Sequence, residues 1–243
     1  MSTTSLSSSA LLVTLSLSAY SGNKLDRSVS DEIDHNKNTQ TRAGKYTKSL
    51  FADEASLKAI AQHDSSTRQL HKQYTLPWTF DGVALLPMPL YMQYLNVMGQ
   101  REQERKALVS TFLANYNNII SQQAFKLGDL FDRDDYLSDW EVSTKFRFDI
   151  QFNPLPESGD FRVDVGEALK QELSAQYSSF YENKLSEAMN DVWGRLHETL
   201  THMSNKLAGN EKQIFRDTLV TNAVELCGLL TKLNVTQDGK LER

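Results

Sequence analysis

From position 165 to 207 an apolar residue returns every third or fourth place without a gap, through Val165, Leu169, Leu173, Tyr177, Tyr181, Leu185, Met189, Val192, Leu196, Leu200, Met203 and Leu207. That period belongs to one amphipathic α-helix of about 43 residues, roughly 65 Å long at 1.5 Å per residue. Such a stripe cannot stay wet, so it needs a second long helix, a sheet or another copy of itself. The best internal partner is 90–127, where Tyr91, Tyr94, Leu95, Met98, Leu108, Phe112, Tyr116, Ile119 and Ile120 recur at the same spacing. Between the two lies a strand pattern, Phe146, Phe148, Ile150 and Phe152 alternating with polar residues, then Pro154, Pro156 and Gly159, then Phe161 to Val165 alternating again. These pieces predict an α+β, mainly α, fold: a long antiparallel helical pair and a small antiparallel sheet with a hairpin near 146–165.

Further elements follow from local punctuation. A first strand is expected from Leu11, closed by Ser21-Gly22-Asn23, and a helix from Asp53 to about Gln73. A short strand at 83–86 is bracketed by Pro77, Asp81-Gly82 and Pro87-Met88-Pro89. A last helix is expected over 212–233, after a stop at Gly209-Asn210. The mixed charges of 24–48 read as an exposed, mobile stretch. The Ser/Thr-rich residues 1–10 read as a disordered tail, 11–233 as a single elongated domain and 234–243 as a frayed end.

The chain has 243 residues, a formal charge of -5 and one cysteine. That balance argues against a surface that traps nucleic acid wholesale, and the lone Cys227, inside an apolar pattern, reads as a small buried hydrophobe of a reducing compartment. The apolar run at 10–17 is broken by Thr14 and Ser16 and has no preceding cation, unlike a secretory leader, and no stretch approaches the roughly 20 apolar residues of a membrane span. A cytoplasmic protein without membrane contact is expected.

The chemical motifs fail on spacing. His197 and His202 echo a zinc helix, but five residues separate them, about 140° round the axis, where ligation from one helix needs four. The acidic run Asp129, Asp132, Asp134, Asp135, Asp139 and Glu141 puts Tyr136 and Leu137 where a calcium loop from Asp132 needs an oxygen ligand and a glycine; helix capping near Ser138 explains it better, and a magnesium site less well. Gly44-Lys45 lacks the upstream glycine of a phosphate loop. No cofactor is implied, and nothing positive points to catalysis. Two charged features remain. Arg101 and Arg105 interrupt the stripe of 90–127, as a solvated overhang or long side chains lying along a helix seam, or as a site for an anion or an acidic partner. With Arg195, His197 and His202 at the far end of the long helix they form the candidate partner-binding set. Arg42, Lys45, Tyr46 and Lys48 interleave basic and aromatic groups, the pattern of a nucleic-acid contact.

Several strings, Leu12-Val13-Thr14-Leu15 with Ser21-Gly22-Asn23-Lys24-Leu25, Leu76-Pro77-Trp78, Gly128-Asp129-Leu130-Phe131, Gly159-Asp160-Phe161-Arg162-Val163, Trp193-Gly194-Arg195-Leu196-His197-Glu198 and Phe215-Arg216-Asp217-Thr218-Leu219, resemble a family of uncharacterised proteins of bacteriophages and proteobacteria. The resemblance covers nearly the whole chain and carries no catalytic residues. It implies a setting beside a MoxR-type AAA+ ATPase and a von Willebrand A-domain protein, in the host cytoplasm if phage-encoded. The expected function is a non-enzymatic adaptor or regulator working through long helices, with self-association open; a nucleic-acid-binding accessory protein using 24–51 is the alternative.

Overall fold

The computed structural model describes residues 9–79, 81–155, 167–208, 217–236 and 239–241. Its contacts divide the chain into two compact units, each discontinuous in sequence. Unit one holds 1–15, 68–98 and 150–243, and unit two holds 16–67 and 99–149. The fold is α+β and mainly α.

In unit one, strand β1 (Ala10–Ser18) pairs antiparallel with a later strand at Val83–Pro87, in the register Ala10↔Pro87 to Thr14↔Val83. Numbered along the chain, β2 is Asn23–Asp26, β3 Tyr46–Ser49, β4 Leu76–Pro77, β5 Val83–Pro87 and β6 Arg147–Pro154. The larger sheet has the order β4-β5-β1-β6. The expected hairpin is described only in its first arm, β6, which lies beside β1; its return arm at 161–165, like the helix stop at 209–210 and the tail at 1–8, falls outside the described residues.

The helices are α1 (Arg27–Asn36), α2 (Ala55–Tyr74), α3 (Tyr91–Ala114), α4 (Tyr116–Leu127), α5 (Asp139–Ser143), α6 (Glu167–Ala208) and α7 (Asp217–Leu233). The long stripe is thus one helix, α6, but its partner differs from the one expected. Ala188 and Val192 of α6 enter a core with Val13, Leu85, Leu90, Tyr94 and Leu233, and its nearest backbone neighbours are α7 and β4. Only the start of α3 shares that core, through Tyr94 and Met98. Beyond Met98, α3 passes into unit two, where Leu108 and Phe112 pack with Phe51 and Ile60, and the helix expected over 90–127 also breaks at Asn115. There the backbone N–H turns to Phe112 O and the side-chain amide donates to Thr111 O, so an internal amide competes with the helical ladder. At the two ends of α6 the stripe is less covered, with Leu169 and Leu200 exposed. Cys227 is exposed too: it precedes the buried Leu230 by three positions, about 60° round the α7 axis.

Unit two has its own core, centred on Phe51, whose ring meets Tyr20, Phe112 and Tyr136 edge-on at centroid distances of 5.8, 5.9 and 5.4 Å. Ile60, Ile119, Ile120 and Val142 fill in round it. The stretch expected to be mobile is ordered: β2 and β3 pair antiparallel from Asn23↔Ser49 to Asp26↔Tyr46, with α1 inserted between them. Asp26 caps α1 by accepting from Val29 N at 3.1 Å, and the buried Ser30 hydroxyl donates to Asp26 O and accepts from Tyr46 N. These short polar residues supply the order that an apolar stripe supplies elsewhere.

Gly22 sits beside the Phe51 ring with φ +61°, and a Cβ there would overlap that ring. Gly22→Ala therefore combines left-handed strain with a clash and should lower stability by about 2 kcal/mol in urea unfolding; an unchanged midpoint would contradict it. In unit one, buried His71 shares a 2.8 Å hydrogen bond with Tyr94 Oη, and burial pushes its pKa from 6.5 down to about 4. The unfolded chain therefore binds the proton first as pH falls. This contribution is complete above 6.5, declines between 6.5 and about 4 by up to about 1.4 kcal/mol per unit, and is flat below. Unfolding of wild type and His71→Gln at pH 7 and 4.5 should show the wild type losing about 2 kcal/mol more across that window; parallel losses would refute the assignment.

Candidate functional site

Helix periodicity brings the charged residues of unit two together. On α2, His63, Asp64 and Thr67 face α3, and on α3 the residues Arg101, Glu104 and Arg105 face back, as positions three and four apart on a helix do. Arg105 is 3 % exposed and grips Asp64 with two bonds, Nε to Oδ1 at 2.6 Å and Nη2 to Oδ2 at 3.0 Å, while Nη2 also donates to Ser18 O of β1 at 2.6 Å. Arg101 donates to Thr67 Oγ1, His63 O and Ser66 Oγ, and pairs with Glu104 at 2.9 Å. His63 lies with Nε2 3.4 Å from Glu104 Oε2. Hydrogen bonds from Gln100, Arg101 and His63 hold the Glu104 carboxyl below its usual range.

Both arginines singled out in the sequence thus lie in the α2–α3 seam. Arg105 is an internal cation whose acidic partner is Asp64, which takes its head group out of reach of any outside ligand. The remaining residues of the predicted partner set divide. Arg195 pairs with Asp191 and donates to Thr75 O and Gln73 O, closing open carbonyls at the C-terminal end of α2, a role that cations commonly take at helix ends. His197 and His202 are exposed.

The predicted nucleic-acid set is mostly engaged as well. Lys48 is buried, bonded to Asp135, Asp26 and Leu130 O. Burial alone would lower its pKa, but the two carboxylates outweigh it and hold the amine above its ordinary value. Asp135 answers in kind: burial pushes it up, and Lys24 and Lys48 more than offset that. Arg42 pairs with Asp31, Tyr46 is half-buried in β3 and Lys45 is exposed. Part of the acidic run serves structure: Asp135 neutralises two lysines, Asp132 caps a 3-10 turn, and Ser138 and Glu141 form a capping box on α5. Among the described residues no group of three histidine, cysteine or carboxylate side chains is placed to hold a metal ion.

What unit two does offer is a half-open groove of about 830 Å³ between α3 and the strand entering β6. One wall is the next turns of α3 after Arg105, with Val109, Leu113 and Ala114; the other is Phe146 and Phe148. The charges beside it are largely paired, Lys106 with Glu102 at 2.6 Å and Arg105 with Asp64. Arg147 and Asp149, of opposite charge, also line it, so the groove is an apolar slot with charged ends, suited to apolar side chains of a polar segment. No family model, no curated protein and no solved structure matches this chain. Its own geometry carries the functional argument.

Of the residues lining this slot only Phe146 and Phe148 fall in a pattern that the sequence marks as buried; Val109 and Leu113 sit one place beyond the stripe positions Leu108 and Phe112 and carry no separate signal. The Asp64–Arg105 pair spans 41 positions and leaves no local trace. Breaking it from one side strands a buried charge, so Arg105→Met and Asp64→Leu should each cost about 3–5 kcal/mol in urea unfolding, and the double substitution markedly less than their sum. Additive losses would show that the two side chains act independently.

Proposed function

We propose that this protein is a non-enzymatic interaction protein, an adaptor or regulator that receives an apolar segment of a protein partner in the groove between α3 and β6. The observation that carries the reading is the groove itself: aliphatic residues from a helix face two phenylalanines from a strand, with the neighbouring Arg105 and Lys106 already paired. A half-open slot of this volume accepts a few side chains projecting from a chain that continues beyond it, which favours a protein segment over an enclosed small molecule. The resemblance to the bacteriophage and proteobacterial family supplies the partner class: a MoxR-type AAA+ ATPase or a von Willebrand A-domain protein, in the cytoplasm of the host. Self-association belongs to the same reading, through the exposed stretches of the α6 stripe at Leu169 and Leu200. Among the described residues no helix is long and apolar enough to cross a membrane.

The test is light scattering coupled to size-exclusion chromatography, with the chain alone and mixed with a purified MoxR-type ATPase or A-domain protein. The wild type should form a complex, and Val109→Asp/Leu113→Asp should weaken it at least tenfold while the circular dichroism spectrum is retained. A wild-type chain that stays uncomplexed with both proteins, or a variant that binds as well as wild type, would overturn the proposal.

A further inference from the structure

Trp140 stands 74 % exposed on α5, a helix that does not need it. The short helix is fixed by three other contacts. Ser138 Oγ accepts from Glu141 N while Glu141 Oε2 accepts from Ser138 N, Asn117 donates to Asp139 Oδ2 at 3.2 Å, and Val142 is fully buried. An exposed indole held by a well-anchored element is a preorganised contact, and tryptophan is among the side chains most enriched at the centres of protein interfaces.

The segment that carries it, 129–141, is one-sided in charge, with Lys145 following just beyond. Asp129, Asp132, Asp134, Asp139 and Glu141 are exposed on the same segment, against a single exposed cation, Arg133, whose guanidinium donates to Tyr136 O. Phosphate is repelled by such a surface, and a purely apolar partner would have to strip water from five carboxylates. A guanidinium or ammonium group satisfies both features at once, stacking on the indole face while its neighbours meet the carboxylates.

We propose that Trp140 and the carboxylates of 129–141 form a second docking surface, separate from the groove, for an arginine- or lysine-rich segment of a protein partner. Arginine is preferred, because its planar group stacks on the ring and pairs with carboxylates in the same pose.

The test uses the full-length protein and a nona-arginine peptide. Trp78 is buried, but Trp193 is exposed as well (37 % against 74 % for Trp140), so the peptide-dependent emission is assigned to Trp140 by comparison with Trp140→Ala. The peptide should quench fluorescence saturably at low salt, with affinity falling steeply as salt rises and nona-lysine binding more weakly. Trp140→Ala, which removes an exposed side chain, should reduce affinity at least tenfold by anisotropy of a labelled peptide. Asp129→Asn/Asp134→Asn should also weaken binding, whereas the groove variant Leu113→Asp should leave it unchanged. Absence of saturable binding, or equal affinity in Trp140→Ala, would overturn the proposal; in the latter case the attraction would be diffuse charge alone. Loss of binding in the groove variant would overturn the separation of the two surfaces.

Discussion

Unit two depends on a charge taken out of water. The Arg105 guanidinium lies at the junction of α2, α3 and the end of β1, where a purely apolar contact would leave Ser18 O without a donor and Asp64 without a counter-charge. Removing a cation from water costs several kcal/mol, and that cost is tolerable only when each face of the fork is met, as it is here by both carboxylate oxygens and a backbone carbonyl. The pair therefore contributes less to net stability than to geometry: it admits one relative setting of the two helices. Arg101, one turn earlier, repeats the device at the margin of the seam with hydroxyl and carbonyl acceptors. From that setting Val109 and Leu113 acquire their positions on the groove wall.

Burial of charge recurs as a principle in this unit. Lys48, Asp135, Asp26 and Lys24 form a second internal network between the β2–β3 pair and the acidic loop. It lies in the same unit as the aromatic cluster of Phe51, and the two are bridged by Tyr136, whose hydroxyl donates to Leu50 O while its ring packs on Phe51. Unit one buries less charge, Lys184 beside Glu187 being its example. There the core is aliphatic and aromatic, and its one buried histidine is held neutral beside Tyr94.

Much of this architecture is legible in the sequence wherever the signal is periodic. The helix expected from Asp53 to Gln73 is α2, the strand expected at 83–86 is β5, and the longest stripe is α6. Periodicity reports that a face is buried, not against what, and so the partner of α6 was misassigned. The break at Asn115 leaves no gap in the apolar stripe, which continues through Tyr116 and Ile119; it is made by an exposed amide that folds back on Thr111 O. The order in 24–48 was hidden for a different reason. It rests on Asp26, Ser30 and Lys48, polar residues whose effect depends on partners that composition cannot reveal. Arg101 and Arg105 lie along a helix seam, one of the placements expected of them, but the carboxylate that Arg105 meets is 41 positions away and so could not be named from the sequence.

The interleaving of the two units bears on how the chain is made. A ribosome delivers residues in order, yet 16–67 belongs with 99–149, and 1–15 belongs with segments that extend to the last residues. Neither unit can close while its missing portion is still in the exit tunnel. Asp64 emerges long before Arg105, and Val13 long before the Leu230 and Leu233 that share its core. The first third of the chain therefore leaves the ribosome with its apolar strand β1 unmatched, and acquires its neighbours only through contacts distant in sequence, which form slowly. Unit two can close once residue 149 has emerged, whereas unit one waits for Leu230 and Leu233, and until 83–87 has emerged β1 is the segment with most to gain from a chaperone.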